Sequence, residues 1–275
     1  MPGRRPIITA RRVVLYLILL VLIPVVALML AQNRLIFIPR RYPLPVALPP
    51  TLVALPYTIA EGAQTAYLRP AQGHLHRTWV LFGGNAGLAL EWSSLCTQWP
   101  RDDDALLLID YPGYGANAGS PSQDSVQRGT SAAYQALAVH LGVTTRTLDA
   151  RLGVVGHSLG AAMALQFSAD HPVDRVVLIS PFTELRAMAR RTVGWPLCWL
   201  LRGNLDNRAR LAELGSRQPP PEIIIVHGTA DGVVPFAMGQ ALAGVVPGTD
   251  FRPITGGDHV SVLDDLEDIM RQATR

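Results

Sequence analysis

Leu152-Gly153-Val154-Val155-Gly156-His157-Ser158-Leu159-Gly160-Ala161-Ala162-Met163-Ala164-Leu165 is the stretch on which the architecture turns. Residues 152–156 are apolar and β-branched, a length and composition suited to a buried strand, and residues 159–169 fit an apolar helix. Between them stands G-x-S-x-G. Its two glycines let a strand pass directly into a helix, so that Ser158 is held in a strained backbone with its hydroxyl facing a cleft. A bare G-x-S-x-G arises by chance in many chains; set between a strand and a helix it marks a nucleophile.

Outward from this unit the same rhythm repeats. Further strands are expected at residues 78–82, 105–110, 175–180, 222–227 and 250–254, with an antiparallel hairpin, 57–60 and 65–69, around Glu61-Gly62. Helices are expected at 88–99, 122–141, 236–244 and 260–271. Strands alternating with helices predict an α/β fold, a mostly parallel sheet flanked by helices. In such sheets the site lies beyond the carboxyl ends of the strands. The polar motifs fall there.

A serine hydroxyl needs a base within reach and a third group that fixes the base's tautomer. His259 follows Gly256-Gly257-Asp258, after the last expected strand, and is the best base. His74, His76, His140 and His171 fall in an early loop or on helices and are expected to face solvent, while His157 and His227 flank motifs and are expected to build loops. Asp231 ends the run Ile223-Ile224-Ile225-Val226-His227-Gly228-Thr229-Ala230-Asp231 and is the expected orienting acid. Asp258 and Asp206 are weaker rivals. The Leu159 N–H and an N–H from Phe82-Gly83-Gly84-Asn85-Ala86-Gly87, best placed at Asn85, would hold a developing oxyanion. That glycine-rich run lacks both the GK[ST] ending and the G-x-G-x-x-G spacing of a phosphate loop.

Composition narrows the chemistry further. The chain has 275 residues, 49% hydrophobic and 16% charged, enough to bury a sizeable core. Every one of its 24 basic residues is Arg, which excludes a Walker-type loop, a Schiff-base lysine and a Ser-Lys dyad. Seven of these Arg precede Tyr42 while the first acid is Glu61, so the remainder carries 17 Arg against 21 acids, a formal charge of −4. The basic balance therefore belongs to the N-terminus and predicts no nucleic-acid face. Cys96 and Cys198 have no metal-ligand spacing and read as buried free thiols. Neither metal nor cofactor is expected.

Residues 13–30 are uncharged and almost wholly apolar, interrupted by Pro24 and preceded by Arg4, Arg5, Arg11 and Arg12. The run can span a bilayer. Its fourteen Leu, Ile and Val residues favour insertion by about 4–8 kcal/mol as an upper bound. It is long for a signal-peptide core, and Met29 occupies a position where cleavage wants a small residue. The expected organisation is a basic tail (1–12), a transmembrane signal-anchor (13–31), a Pro-rich extended tether (32–56) and a folded domain (57–275). The Arg balance across the span, with the free amino terminus, places the domain outside the cytoplasm. Residues 183–217, with Trp195, Pro196, Cys198, Trp199 and several Leu, read as a small cap. Its aromatics either face the cleft, suiting an apolar acyl chain, or pack inward.

Taken together, these residues resemble the α/β-hydrolase superfamily, and within it the Bem46-like branch that includes the α/β hydrolase domain-containing types 12, 13 and 17. The resemblance runs from about Arg34 to the C-terminus. It rests on Arg34-Leu35-Ile36-Phe37-Ile38-Pro39, Gly84-Asn85-Ala86-Gly87, Asp110-Tyr111-Pro112-Gly113-Tyr114-Gly115, the Ser158 motif, Ser180-Pro181-Phe182, the run ending in Asp231, and Asp258-His259. It implies the triad Ser158, Asp231 and His259, an oxyanion hole at Asn85 and Leu159, and a small-molecule or lipid acyl ester or thioester as substrate. One departure is Gly83, where the family usually carries a histidine; the rigidity of the loop is then in question. Two other classes remain open: a peptidase or cofactor-free haloperoxidase on the same fold, and a non-catalytic membrane scaffold.

Overall fold

The computed structural model describes residues 10–274; Arg4 and Arg5 of the expected basic tail lie outside the described residues. In chain order the elements are α1 (Ala10–Ile36), β1 (Val53–Ile59), β2 (Gly62–Arg69), β3 (Arg77–Phe82), α2 (Ser93–Thr97), β4 (Asp104–Ile109), α3 (Gln123–His140), α4 (Thr145–Asp149), β5 (Leu152–His157), α5 (Leu159–Asp170), β6 (Arg175–Ile179), α6 (Leu185–Val193), α7 (Asn207–Gly215), β7 (Glu222–Gly228), α8 (Phe236–Ala243), β8 (Asp250–Ile254) and α9 (Leu266–Ala273). The eight strands form one sheet in the order β1-β2-β4-β3-β5-β6-β7-β8. β2 runs antiparallel to β1 and β4, and every other pair is parallel.

Strand alternation divides the core into two layers. Val80, Phe82, Leu107, Ile109 and Val154 face a cluster closed by Tyr134 and Leu137 of α3 and by Ala161, Leu165 and Phe167 of α5. Trp79, Leu81, Leu106, Leu108 and Val155 face the other layer, closed by Leu95 and Cys96 of α2 and by Ile269 and Met270 of α9. Buried strands flanked on both faces explain the near-continuous apolar runs seen in sequence.

Several boundaries differ from the sequence reading, each for a local reason. β1 begins at Val53 rather than 57 and contains Pro56, tolerated because β1 is an edge strand whose missing N–H need not serve a ladder. The expected helix at 88–99 is a 3-10 turn, Ala89–Trp92, followed by the short α2. The expected helix at 260–271 breaks into a 3-10 turn, Ser261–Leu263, and α9, since the Asp258 carboxylate takes the N–H groups of Val260 and Ser261. α4, which the sequence reading omitted, is capped by the Thr144 hydroxyl.

The N-terminal region departs furthest. α1 extends to Ile36, beyond the expected end at 31; it is long and apolar enough to cross a membrane, with a mean hydropathy of 3.2 in its most apolar window and none of that window buried. The stretch expected as an extended tether is fastened to the body. Phe37 and Leu52 are buried, the Arg40 guanidinium donates to the Ala86 carbonyl and pairs with Glu91, and the Leu90 N–H donates to the Tyr42 hydroxyl at 3.0 Å.

Candidate active site

β5 delivers Ser158 to the carboxyl edge of the sheet. Its backbone sits at φ 55°, ψ −116°, a conformation that costs of order 1–3 kcal/mol and persists only when the surroundings enforce it. Here they do. The Ser158 N–H donates to the Ile179 carbonyl at 2.8 Å and its carbonyl accepts from Ala161. A Cβ on Gly156 would strike the Gly160 carbonyl, and one on Gly160 would strike that of Phe82. The two glycines are thus required for close contact of strand, helix and the loop that follows β3.

Asp231 follows β7 and His259 follows β8, and the two loops are tied together. Thr229 N–H donates to the Ile254 carbonyl at 2.9 Å and Ala230 N–H to that of Gly257 at 3.0 Å. Asp231 Oδ1 accepts the N–H groups of Val233 and Val234 at 2.9 and 2.8 Å, while Oδ2 lies 2.7 Å from His259 Nδ1. Burial pushes the Asp231 carboxyl up, but the His259 hydrogen bond and those from Val234 and Val233 outweigh it and hold it below its ordinary value. An ionised Asp231 fixes the proton on His259 Nδ1 and leaves Nε2 free to accept one. Among the described residues no hydrogen bond joins the Ser158 hydroxyl to the His259 ring; such contacts often tighten only when substrate binds.

The rivals are otherwise engaged. Asp258 caps its own turn, and Asp206 accepts the Ala209 N–H as the N-cap of α7. His74 and His140 are exposed, whereas His76 and His171, expected in solvent, are half-buried beside Asp104 and Asp149. Cys96 and Cys198 are buried free thiols.

His157 does more than its flanking position suggested. Its Nε2–H donates to the His259 carbonyl at 2.9 Å, the two rings lie 4.8 Å apart, and a Cβ on Gly84 would come within 2.7 Å of its Nδ1. It therefore bridges the elbow, the loop carrying His259 and the glycine-rich loop after β3. Burial and the neighbouring His259 lower its pKa to about 4, so it stays neutral and keeps that bond.

The backbone N–H groups of Asn85 and Leu159 meet no protein acceptor among the described residues. Both residues line the same cavity as Ser158, which makes these groups available to an oxyanion. The loop without its histidine is braced from elsewhere: Tyr111 donates to the Gly83 carbonyl at 2.8 Å and Tyr114 to Asn85 Oδ1 at 2.9 Å. The Asn85 amide also donates to the Ile36 carbonyl at 2.6 Å and accepts the Ile38 N–H at 2.8 Å. Sequence reasoning used the Asn85 backbone and missed its side chain, which clasps the end of α1.

Above Ser158 lies a cavity of about 380 Å³. Phe182, Leu185, Met188 and Val193 form one wall, and Leu28, Gln32, Leu35 and Ile36 of α1 form another. From the cap, Leu197, Cys198 and Leu201 point into it, whereas Trp195 and Trp199, one alternative for lining the cleft, are exposed. α7, inside the expected cap, packs its Leu211 and Leu214 into the core.

The profile of the alpha/beta hydrolase fold family matches residues 80–206. An uncharacterized protein of Mycobacterium tuberculosis is 30% identical over 216 residues, covering 77% of this chain and 74% of its own. Human alpha/beta hydrolase domain-containing protein 17B is 27% identical over 133 residues, 48% of this chain and 42% of that protein. Among solved structures, an esterase from Exiguobacterium antarcticum superposes with a TM-score of 0.57 at 13% identity, covering 81% of this chain and 98% of its own. A predicted CIB-like hydrolase from Thermoplasma acidophilum gives 0.54 at 18%, covering 80% and 96%. Fold, profile and relatives agree: the chain belongs to the α/β-hydrolase superfamily, with the alpha/beta hydrolase domain-containing proteins among its relatives.

Proposed function

We propose that this chain is a membrane-anchored serine hydrolase that cleaves carboxylic esters or thioesters of apolar acyl groups, with α1 as its anchor and its catalytic domain outside the cytoplasm. The family supports hydrolase activity in general. The observations that carry the finer reading are the 2.7 Å bond between His259 Nδ1 and Asp231, the His157 ring, next in chain to Ser158, 4.8 Å from that of His259, and a strained Ser158 on the wall of an apolar cavity. In this reading Ser158 Oγ attacks the acyl carbonyl and its proton passes to His259 Nε2. The N–H groups of Asn85 and Leu159 hold the tetrahedral oxyanion. Collapse expels the alcohol or thiol, which takes the proton from His259. Water, activated by the same base, then releases the carboxylic acid from the acyl-enzyme. No cofactor or metal enters this sequence.

A cavity lined by Leu, Ile, Met, Phe and Val side chains favours an alkyl chain over a charged or peptide group. The test is a panel of acyl esters and thioesters of increasing chain length beside short peptides, assayed on the full-length protein. Higher kcat/KM for medium and long chains than for acetyl, with peptides untouched, is the expected result. Peptide turnover without ester turnover would sink the assignment.

A further inference from the structure

Residues 185–203 of the cap contain Arg186, Arg190, Arg191 and Arg202 and no acid. One acid, Glu184, accepts from the neutral Asn204 amide and lines the same surface as both indoles, so Arg186 and Arg190 outnumber it there, and Asp206 caps α7. Trp195 is 71% exposed and Trp199 62%, whereas Trp79, Trp92 and Trp99 are buried in the body. The Arg186 guanidinium lies over the Trp199 ring at 4.6 Å. Surface indoles interleaved with arginines match the headgroup layer of a bilayer, where Trp settles and long cationic side chains reach phosphates.

The position of α1 brings that layer to the cap. Gln32 Nε2 donates to the Leu200 carbonyl at 2.6 Å, and its Oε1 accepts the Arg202 N–H at 2.8 Å. At 1.5 Å per residue α1 rises about 30 Å from Val13 to Gln32, the thickness of a hydrocarbon core. With α1 across the bilayer, the boundary between acyl chains and headgroups passes at Gln32. Trp199 adjoins the residue that Gln32 holds.

We propose that the cap face bearing Trp195 and Trp199, with Arg186 and Arg190 beside them, is a second membrane contact that docks on the anionic headgroups of the leaflet in which α1 ends. The proposal rests on the reading of α1 as an anchor and not on the identity of the nucleophile. It has a consequence for access. Leu28 belongs both to the apolar run of α1 and to the cavity wall, so a docked cap holds the cavity against the leaflet, and an acyl chain can reach Ser158 without crossing water.

The experiment uses the full-length chain in nanodiscs of phosphatidylcholine and phosphatidylglycerol, with bromines at shallow or deep acyl positions of the phosphatidylcholine. Tryptophan emission should be quenched, more by shallow bromines than by deep ones. The quenchable component should be lost in W195F/W199F and weakened in discs without phosphatidylglycerol. Equal quenching of wild type and W195F/W199F, in protein that resists carbonate extraction, overturns the docking while leaving the anchor in place. Release of the protein by carbonate overturns both. Labelling of Ser158 by a fluorophosphonate in the same discs separates this proposal from the catalytic one: quenching without labelling sustains the docking and removes the hydrolase reading.

Discussion

Asp231 is the residue whose surroundings make the most demanding statement about chemistry. Two backbone N–H groups and His259 converge on its carboxylate. Asp231→Asn keeps the shape but removes the charge, and with its oxygen left to accept from Val233 and Val234 it turns an amide N–H toward His259, which needs an anion there. In serine triads such a change lowers kcat by about 10⁴ through the wrong tautomer, and a loss of that order is expected here in ester turnover, with the fold intact by circular dichroism. Asp110 offers a second test at this scale. Burial drives its carboxyl up to about 6 against a backbone bond from Ala89, and Gly115 packs against Oδ2, leaving no room for a Cβ. The native state therefore holds a proton that the unfolded state has lost between 3.8 and about 6, so stability contributed by this group falls as pH rises through that window. The effect is at most about 3 kcal/mol. Asp110→Asn should abolish that part of the decline, read as the difference between variant and wild-type thermal stability across the window.

Elements differ in how far the sequence announces them. β3 to β7 and α5 were legible to within a residue or so at each end because buried parallel strands and a glycine-bounded elbow leave no other reading for such apolar runs. Ser158, Asp231 and His259 were singled out by position, each just past a strand end, and the structure brings Asp231 and His259 into contact and His157 against both loops. The part that stayed hidden is the joint between α1 and the body. An apolar residue facing lipid and one facing a cavity have the same composition, so nothing in the run marks Leu28 or Leu35 as a wall. Gln32 and Asn85 carry ordinary amides whose partners include backbone atoms far along the chain. Gln32→Ala tests this joint: it frees the Leu200 carbonyl and the Arg202 N–H, a loss of about 1 kcal/mol. The Arg202 amide should then exchange hydrogen several-fold faster, while amides in β5 keep their wild-type rates.

For the whole molecule, the sheet supplies three fixed loops and α1 supplies a wall. The glycine-rich loop after β3 is clasped to the end of α1 by Asn85, and the segment around Leu200 is clasped to the same helix by Gln32. The N-terminal helix is thus part of the site, and the full-length chain is the form to assay. This assembly is expected to activate Ser158. A fluorophosphonate probe, which reacts covalently with an activated serine, should label the wild-type chain in detergent or nanodiscs and leave Ser158→Ala unlabelled. Labelling that persists in Ser158→Ala, or a folded wild-type protein that takes up no probe, would show that Ser158 is not the activated nucleophile.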